Sequence, residues 1–148
     1  MSTLFTEFPD RREWDLSGYA VEWIQLSYQV RLLMARSPGP LDHKTMLRSN
    51  HSVTVAVETA FTVRVGSRTD QVIPENVLST VPVLPLLHQS VASLTAFRSG
   101  TLLLKFEDST ELEVQQDDHY ESWHTWGEGE LADIGMEATG HEGSPWGG

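Results

Sequence analysis

A mainly β fold built from two antiparallel three-stranded meanders follows from three features of this 148-residue sequence. Apolar and polar residues alternate with a period of two in several short runs, and turn residues separate those runs. Two of the stretches share one apolar pattern at an offset of 70 to 72 residues, which reads as an internal duplication. The meanders can pack face to face as a sandwich or join edge to edge as one continuous curved sheet, with one or two short helices.

Residues 1–15 read as an N-terminal lead-in with Phe5, Phe8 and Trp14 as anchors, ahead of a single β-rich domain over residues 16–126. The first unit, 16–65, opens on Leu16-Ser17-Gly18. Val21, Ile24 and Leu26, then Val30, Leu32 and Met34, predict two strands with a tight turn near Ser27 and Tyr28. A helix over 19–35 is the rival reading, but it lacks a 3.6-residue stripe and a cap at Gly18. Residues 37–51, with two prolines and mixed polarity, read as a long loop inserted into this meander. Val53, Val55 and Val57 alternate with polar neighbours, and Phe61, Val63 and Val65 continue the pattern past Thr59-Ala60. One strand bent in its middle is the expected form. Pro82 and Pro85 allow little more than one helical turn, carrying Val83, Leu84, Leu86 and Leu87.

The second unit, 87–115, repeats the first. Val91, Leu94 and Ala96 form a strand, Ser99-Gly100 turns, and Leu102, Leu104 and Phe106 return. Leu103 is apolar too, which suggests cover on both faces. Asp108 and Ser109 suit a turn before Leu112 and Val114. Residues 127–148 hold seven glycines and read as an acidic, Gly-rich tail in which Leu131, Ile134, Met136 and Trp146 form at most a last irregular strand.

Length fits one domain with a real core. The absence of cysteine excludes disulfides, thiolate catalysis and Cys-based zinc sites. The N-terminus lacks a secretory pattern and no stretch approaches a membrane span, so a soluble cytoplasmic protein is expected. Charge is lopsided: residues 1–106 carry a net +1, and residues 107–148 hold twelve acids without Lys or Arg, a net −12. Such a segment repels nucleic acid and acidic membranes and attracts a basic partner.

The segment closing the domain concentrates the candidate site. Tyr120, Trp123 and Trp126 are spaced three apart among Asp117, Asp118, Glu121, Glu128 and Glu130. The rings either cap the open end of the core or supply contact area for a partner that the acids steer and pair. Asp117, His119 and His124 are also conceivable metal ligands. His119 and His124 diverge on a helix or a strand, however, and the spacing of a calcium loop is missing. No catalytic serine elbow, phosphate loop or zinc-hydrolase motif occurs.

With these elements in place, the chain resembles a family of small bacterial proteins of unknown function, common in actinobacteria. The resemblance rests on Leu16 to Gly18, Pro82 to Leu87, the G-T-L-x-L-x-F-x-D form of Gly100 to Asp108, and D-x-x-Y-E-x-W, here Asp117 to Trp123. The chain departs from that pattern in its 37–51 insertion and in Ser109, where a turn glycine is more usual. Proteins of this kind also resemble immunity proteins encoded beside toxins. The expectation is a non-enzymatic binding protein without a cofactor, acting on a cognate toxin or another basic protein through the Asp117 to Glu130 surface. The alternatives are a metal-dependent hydrolase or small-ligand domain using the Asp117 to His124 cluster, and a structural or regulatory module.

Overall fold

Alternating runs fold as extended chain because a pleated strand sends successive side chains to opposite faces, so each run hides one apolar face against another sheet. The computed structural model describes residues 5–36, 51–116, 121–138 and 145–146. In chain order its strands begin with β1 (Phe5–Glu7), β2 (Arg11–Asp15), β3 (Tyr19–Leu26) and β4 (Val30–Arg36). They continue with β5 (Ser52–Val57), β6 (Phe61–Val65), β7 (Arg68–Val72) and β8 (Val91–Phe97). The last are β9 (Leu102–Phe106), β10 (Glu111–Val114), β11 (Trp123–Glu128) and β12 (Met136–Ala138).

Two antiparallel sheets result, and they pack as a sandwich. One has the order β1-β2-β8-β9-β10-β6-β7 and the other β12-β11-β5-β4-β3. Both expected meanders form, one inside each sheet: β3-β4-β5 in the five-stranded sheet and β8-β9-β10 in the seven-stranded one. A single apolar core lies between them, with Val21, Leu32, Met34 and Val55 from one side and Leu94, Leu104, Leu112 and Val63 from the other. The sheets also touch along backbone, where Ala20 bridges Ser90 and the Val21 N–H donates to the Gln89 carbonyl at 3.1 Å. Leu103 is half-buried while Leu102 and Leu104 are fully buried, so β9 is covered on its inner face and only partly on its outer one.

Three local expectations need correction. Val53 to Val65 is not one bent strand: β5 lies in the five-stranded sheet and β6 in the seven-stranded sheet, and Glu58 to Ala60 carry the chain across the core. The lead-in is also structured, because β2 pairs with β8 along its whole length and Trp14 is fully buried. In the tail, by contrast, the last strand expected there is present: Leu131, Ile134 and Met136 are buried, and β12 pairs with β11. Finally, the proline segment forms a ten-residue 3₁₀ helix, Val77–Leu86. Its three-residue turn places Thr80, Val83 and Leu86 in one buried stripe, and that burial sustains a helix longer than the one turn expected from its prolines. Residues 37–50 of the insertion lie outside the described residues.

Candidate functional site

β11 is where the predicted site residues meet the fold. It pairs with β5 on one side and β12 on the other, so its side chains alternate between core and solvent. Trp123 and Thr125 point inward, and His124, Trp126 and Glu128 outward. Trp123 is therefore a core residue and not a contact residue: it is fully buried, and its Nε1–H donates to the Gly100 carbonyl at 2.7 Å. An odd spacing on a strand separates two residues to opposite faces, and the three-residue step from Trp123 to Trp126 carried that signal.

The outward side chains build a platform. The His124 ring stacks on Trp126 with centroids 4.9 Å apart and planes tilted by 20°. Its Nδ1 lies 3.1 Å from Glu121 Oε1, an ion pair when the imidazole is protonated, although the approach is too bent to count as a hydrogen bond. From β4, the Arg31 guanidinium lies 5.4 Å from the Trp126 ring centroid, a cation–π distance. Cross-strand register then extends the platform. Trp126 is opposite Thr54, Thr54 opposite Leu33, and Leu33 opposite Trp23, so one row ends in an indole on each side. Both rings remain accessible, Trp126 at 38% and Trp23 at 49%. Three strand-to-strand steps separate them, roughly 14 Å.

Two clefts flank this face. One of about 440 Å³ is lined by His124, Trp126, Met136, Glu137 and Trp146. The other, about 630 Å³, brings Glu121 together with Glu58 and Glu75, with Tyr28 and Ile73 as apolar walls. The sequence reading missed Trp23, Arg31, Leu33, Glu58 and Glu75. Trp23 was recoverable, because an inward Ile24 and Leu26 force Trp23 and Gln25 outward. The carboxylates were not, since they converge from three separate segments.

Glu130 serves the fold. Its carboxylate accepts from the Tyr19 hydroxyl at 2.6 Å and pairs with Arg36 at 3.1 Å, while its N–H donates to His51 Nδ1 at 2.9 Å. Burial first, and then the Glu130 carboxylate, push the Tyr19 hydroxyl well above the ordinary phenol range. Glu128 is exposed at the end of β11. Asp117, Asp118, His119 and Tyr120 lie outside the described residues. Among the described residues no three His, Asp or Glu side chains converge as a metal ion requires.

The described acids of residues 107–148 do not form one surface. Glu107, Asp108, Glu111 and Glu113 belong to the seven-stranded sheet, whereas Glu121, Glu128, Glu130, Asp133 and Glu137 accompany the five-stranded one. Only the second group borders the aromatic platform.

A family model, described as a family of unknown function (DUF6188), matches residues 13–134. The chain belongs to the DUF6188 family. That match runs from β2 to Ile134 and takes in both meanders, the 3₁₀ helix and the DUF6188 chain's whole platform from Trp23 to Trp126. No curated protein and no solved structure matches it significantly. No helix among the described residues is long and apolar enough to cross a membrane.

Proposed function

We propose that this protein is a non-enzymatic binding protein of the bacterial cytoplasm, an immunity protein that neutralises a basic toxin with the outer face of its five-stranded sheet. One observation carries the reading: the outward row from Trp126 to Trp23 leaves two indoles accessible on a rigid sheet, with Arg31 and His124 packed beside Trp126. Solvent-facing sheet surfaces are ordinarily polar, and accessible tryptophans on a firm scaffold are the residues that dominate protein interfaces. Glu121, Glu128 and Glu137 stand around the platform, and Glu121 shares its cleft with Glu58 and Glu75. These carboxylates give the field that draws in a basic partner and match its Lys and Arg at the rim. The general likeness of such small β-rich bacterial proteins to immunity proteins encoded beside toxins supports a toxin as the partner class.

The test is a binding titration against the product of the neighbouring gene. Trp126→Ala is expected to weaken binding by roughly tenfold or more, the effect of removing an interface anchor, with the chain still folded and its melting temperature only modestly lowered. Binding should also weaken as salt rises. Equal affinity of parent and Trp126→Ala, with Trp23→Ala equally silent, would remove this face from the interface.

A further inference from the structure

The 3₁₀ helix Val77–Leu86 exposes a second surface that the platform does not use. With three residues per turn, positions three apart stand above one another. Thr80, Val83 and Leu86 face the core, so Leu78, Val81, Leu84 and Leu87 form an outward ridge, with Val77 beside it. Their exposure runs from 39% at Leu87 to 84% at Leu78. At about 2.0 Å per residue the ridge is about 18 Å long. It ends at the edge of the five-stranded sheet, where the His88 N–H donates to the Val21 carbonyl at 2.7 Å.

We infer that this ridge is the contact between two copies of the chain. The first argument is area. The five side chains together expose on the order of 500 Å² per copy, so a symmetric pair buries about 1,000 Å², the lower limit for a specific interface. The second is charge. No Asp, Glu, Lys or Arg occurs from Val77 to Leu87, although the chain as a whole carries −11. Two copies repel through most orientations, and this uncharged strip is a face on which they can close. A lipid surface fits poorly, because interfacial helices carry Lys and Arg on the polar side and this one has neither. A foreign partner would find no charge here to set orientation or selectivity. A two-fold axis, by contrast, runs two identical three-residue repeats antiparallel and lets the side chains of one fill the gaps of the other.

Sedimentation equilibrium of the full chain over a wide micromolar range tests this. The expected result is a concentration-dependent mass approaching twice 16.6 kDa. Leu78→Glu combined with Leu84→Glu should raise the dimer dissociation constant about 100-fold or more, since each ridge would then bury charge. Circular dichroism and melting should stay as in the parent. If the double variant misfolds, the single change Leu78→Ser at the most exposed position replaces it. A parent chain at 16.6 kDa throughout would overturn the inference, as would a dimer indifferent to these changes. So would a monomeric parent that loses toxin binding on Leu78→Glu, because the ridge would then serve a foreign partner. Toxin capture that survives Leu78→Glu but not Trp126→Ala separates the two surfaces.

Discussion

The two meanders share a frame and differ in what they show to solvent. Each has an irregularity in its first strand at an equivalent place, between Val21 and Trp23 in one and between Val91 and Ser93 in the other, an offset of 70. Just past it, the first meander turns Trp23 outward and the second turns Ser93. The next strands present Arg31 and Leu33 in one case, Leu103 and Lys105 in the other. The seven-stranded sheet then matches charge within its own surface. Lys105 is opposite Glu111 and Glu111 opposite Arg64, with Arg64 and Glu111 in an ion pair. Of the acids this sheet carries from the negative C-terminal third, Glu111 is thus spent beside cations, Glu107 and Asp108 lie in a turn and Glu113 accepts from Gln115, and they add little to an acidic face. The five-stranded sheet has no such matching row and shows rings. The same strand order therefore yields a self-satisfied surface and an unfinished one, and the unfinished one is the better candidate for recognition.

The largest expected effect lies where the two sheets are tied together. Trp123 sits on β11 of one sheet and donates to Gly100, in the β8–β9 turn of the other. Trp123→Ala is expected to cost about 3–5 kcal/mol, the range for emptying a large buried aromatic. Trp126→Ala, three residues along and facing solvent, should cost less, about 1–2 kcal/mol for the lost His124 stack and Arg31 contact. Denaturant unfolding of both variants measures the contrast directly. Similar losses at the two positions would show that the sheets are not coupled through this contact.

That contrast also marks what the sequence makes legible. Leu102, Leu104 and Phe106, or Val30, Leu32 and Met34, announce inward strand faces because the period of two is local to the strand. Membership of a sheet is not local. Val53 to Val57 and Phe61 to Val65 read as one strand, and nothing in their alternation says that three residues between them cross the core. Arg11 to Asp15 reads as a charged lead-in because only Trp14 turns fully inward, while the backbone of β2 supplies the rest of its attachment by pairing with β8. Leu131, Ile134 and Met136 stand out as apolar residues in a glycine-rich tail, but that their burial depends on β11 standing beside them is not legible locally. In the site, the sequence leaves open whether the rings at 123 and 126 cap the core or meet a partner, and the structure buries Trp123 while leaving Trp126 partly accessible. The carboxylates of Glu58 and Glu75 could be placed next to Glu121 only by the completed fold.

A smaller effect is expected at the end of the five-stranded sheet, where Tyr19 and Arg36 hold the Glu130 carboxylate. Tyr19→Phe should lower stability at neutral pH by about 1.5–3 kcal/mol, the worth of a hydrogen bond to a charged group. The pH dependence has a definite sign. The folded hydroxyl ionises at higher pH than the unfolded one, so the unfolded state gives up its proton first. The stabilisation is complete below the ordinary phenol value of about 10 and is lost as pH rises from there through the raised folded value. Unfolding followed from neutral to strongly alkaline pH should therefore show a parent curve that falls towards that of Tyr19→Phe. Parallel curves across that window would mean that the hydroxyl does not feel the fold.

The smallest expected effect, and the only stabilising one, belongs to the second meander. Its two turns solve the same backbone problem with different residues. Gly100, at φ +102°, accepts a left-handed conformation without penalty, and a Cβ there would run into the Gln116 side chain. Ser109 adopts φ +75° between β9 and β10 with a Cβ in place. The turn is held around it: the Ser109 N–H donates to the Phe106 carbonyl at 3.1 Å, and Asp108 Oδ1 accepts from the Thr110 N–H at 3.0 Å. A non-glycine residue in this region costs about 1–2 kcal/mol, whereas glycine adds about 0.5–1 kcal/mol of unfolded-state freedom. Ser109→Gly should therefore gain up to about 1 kcal/mol in denaturant unfolding, with the aromatic platform unaltered because this turn lies on the charge-matched sheet. A loss of stability would mean that the serine side chain, not the hydrogen bonds around it, keeps the turn closed.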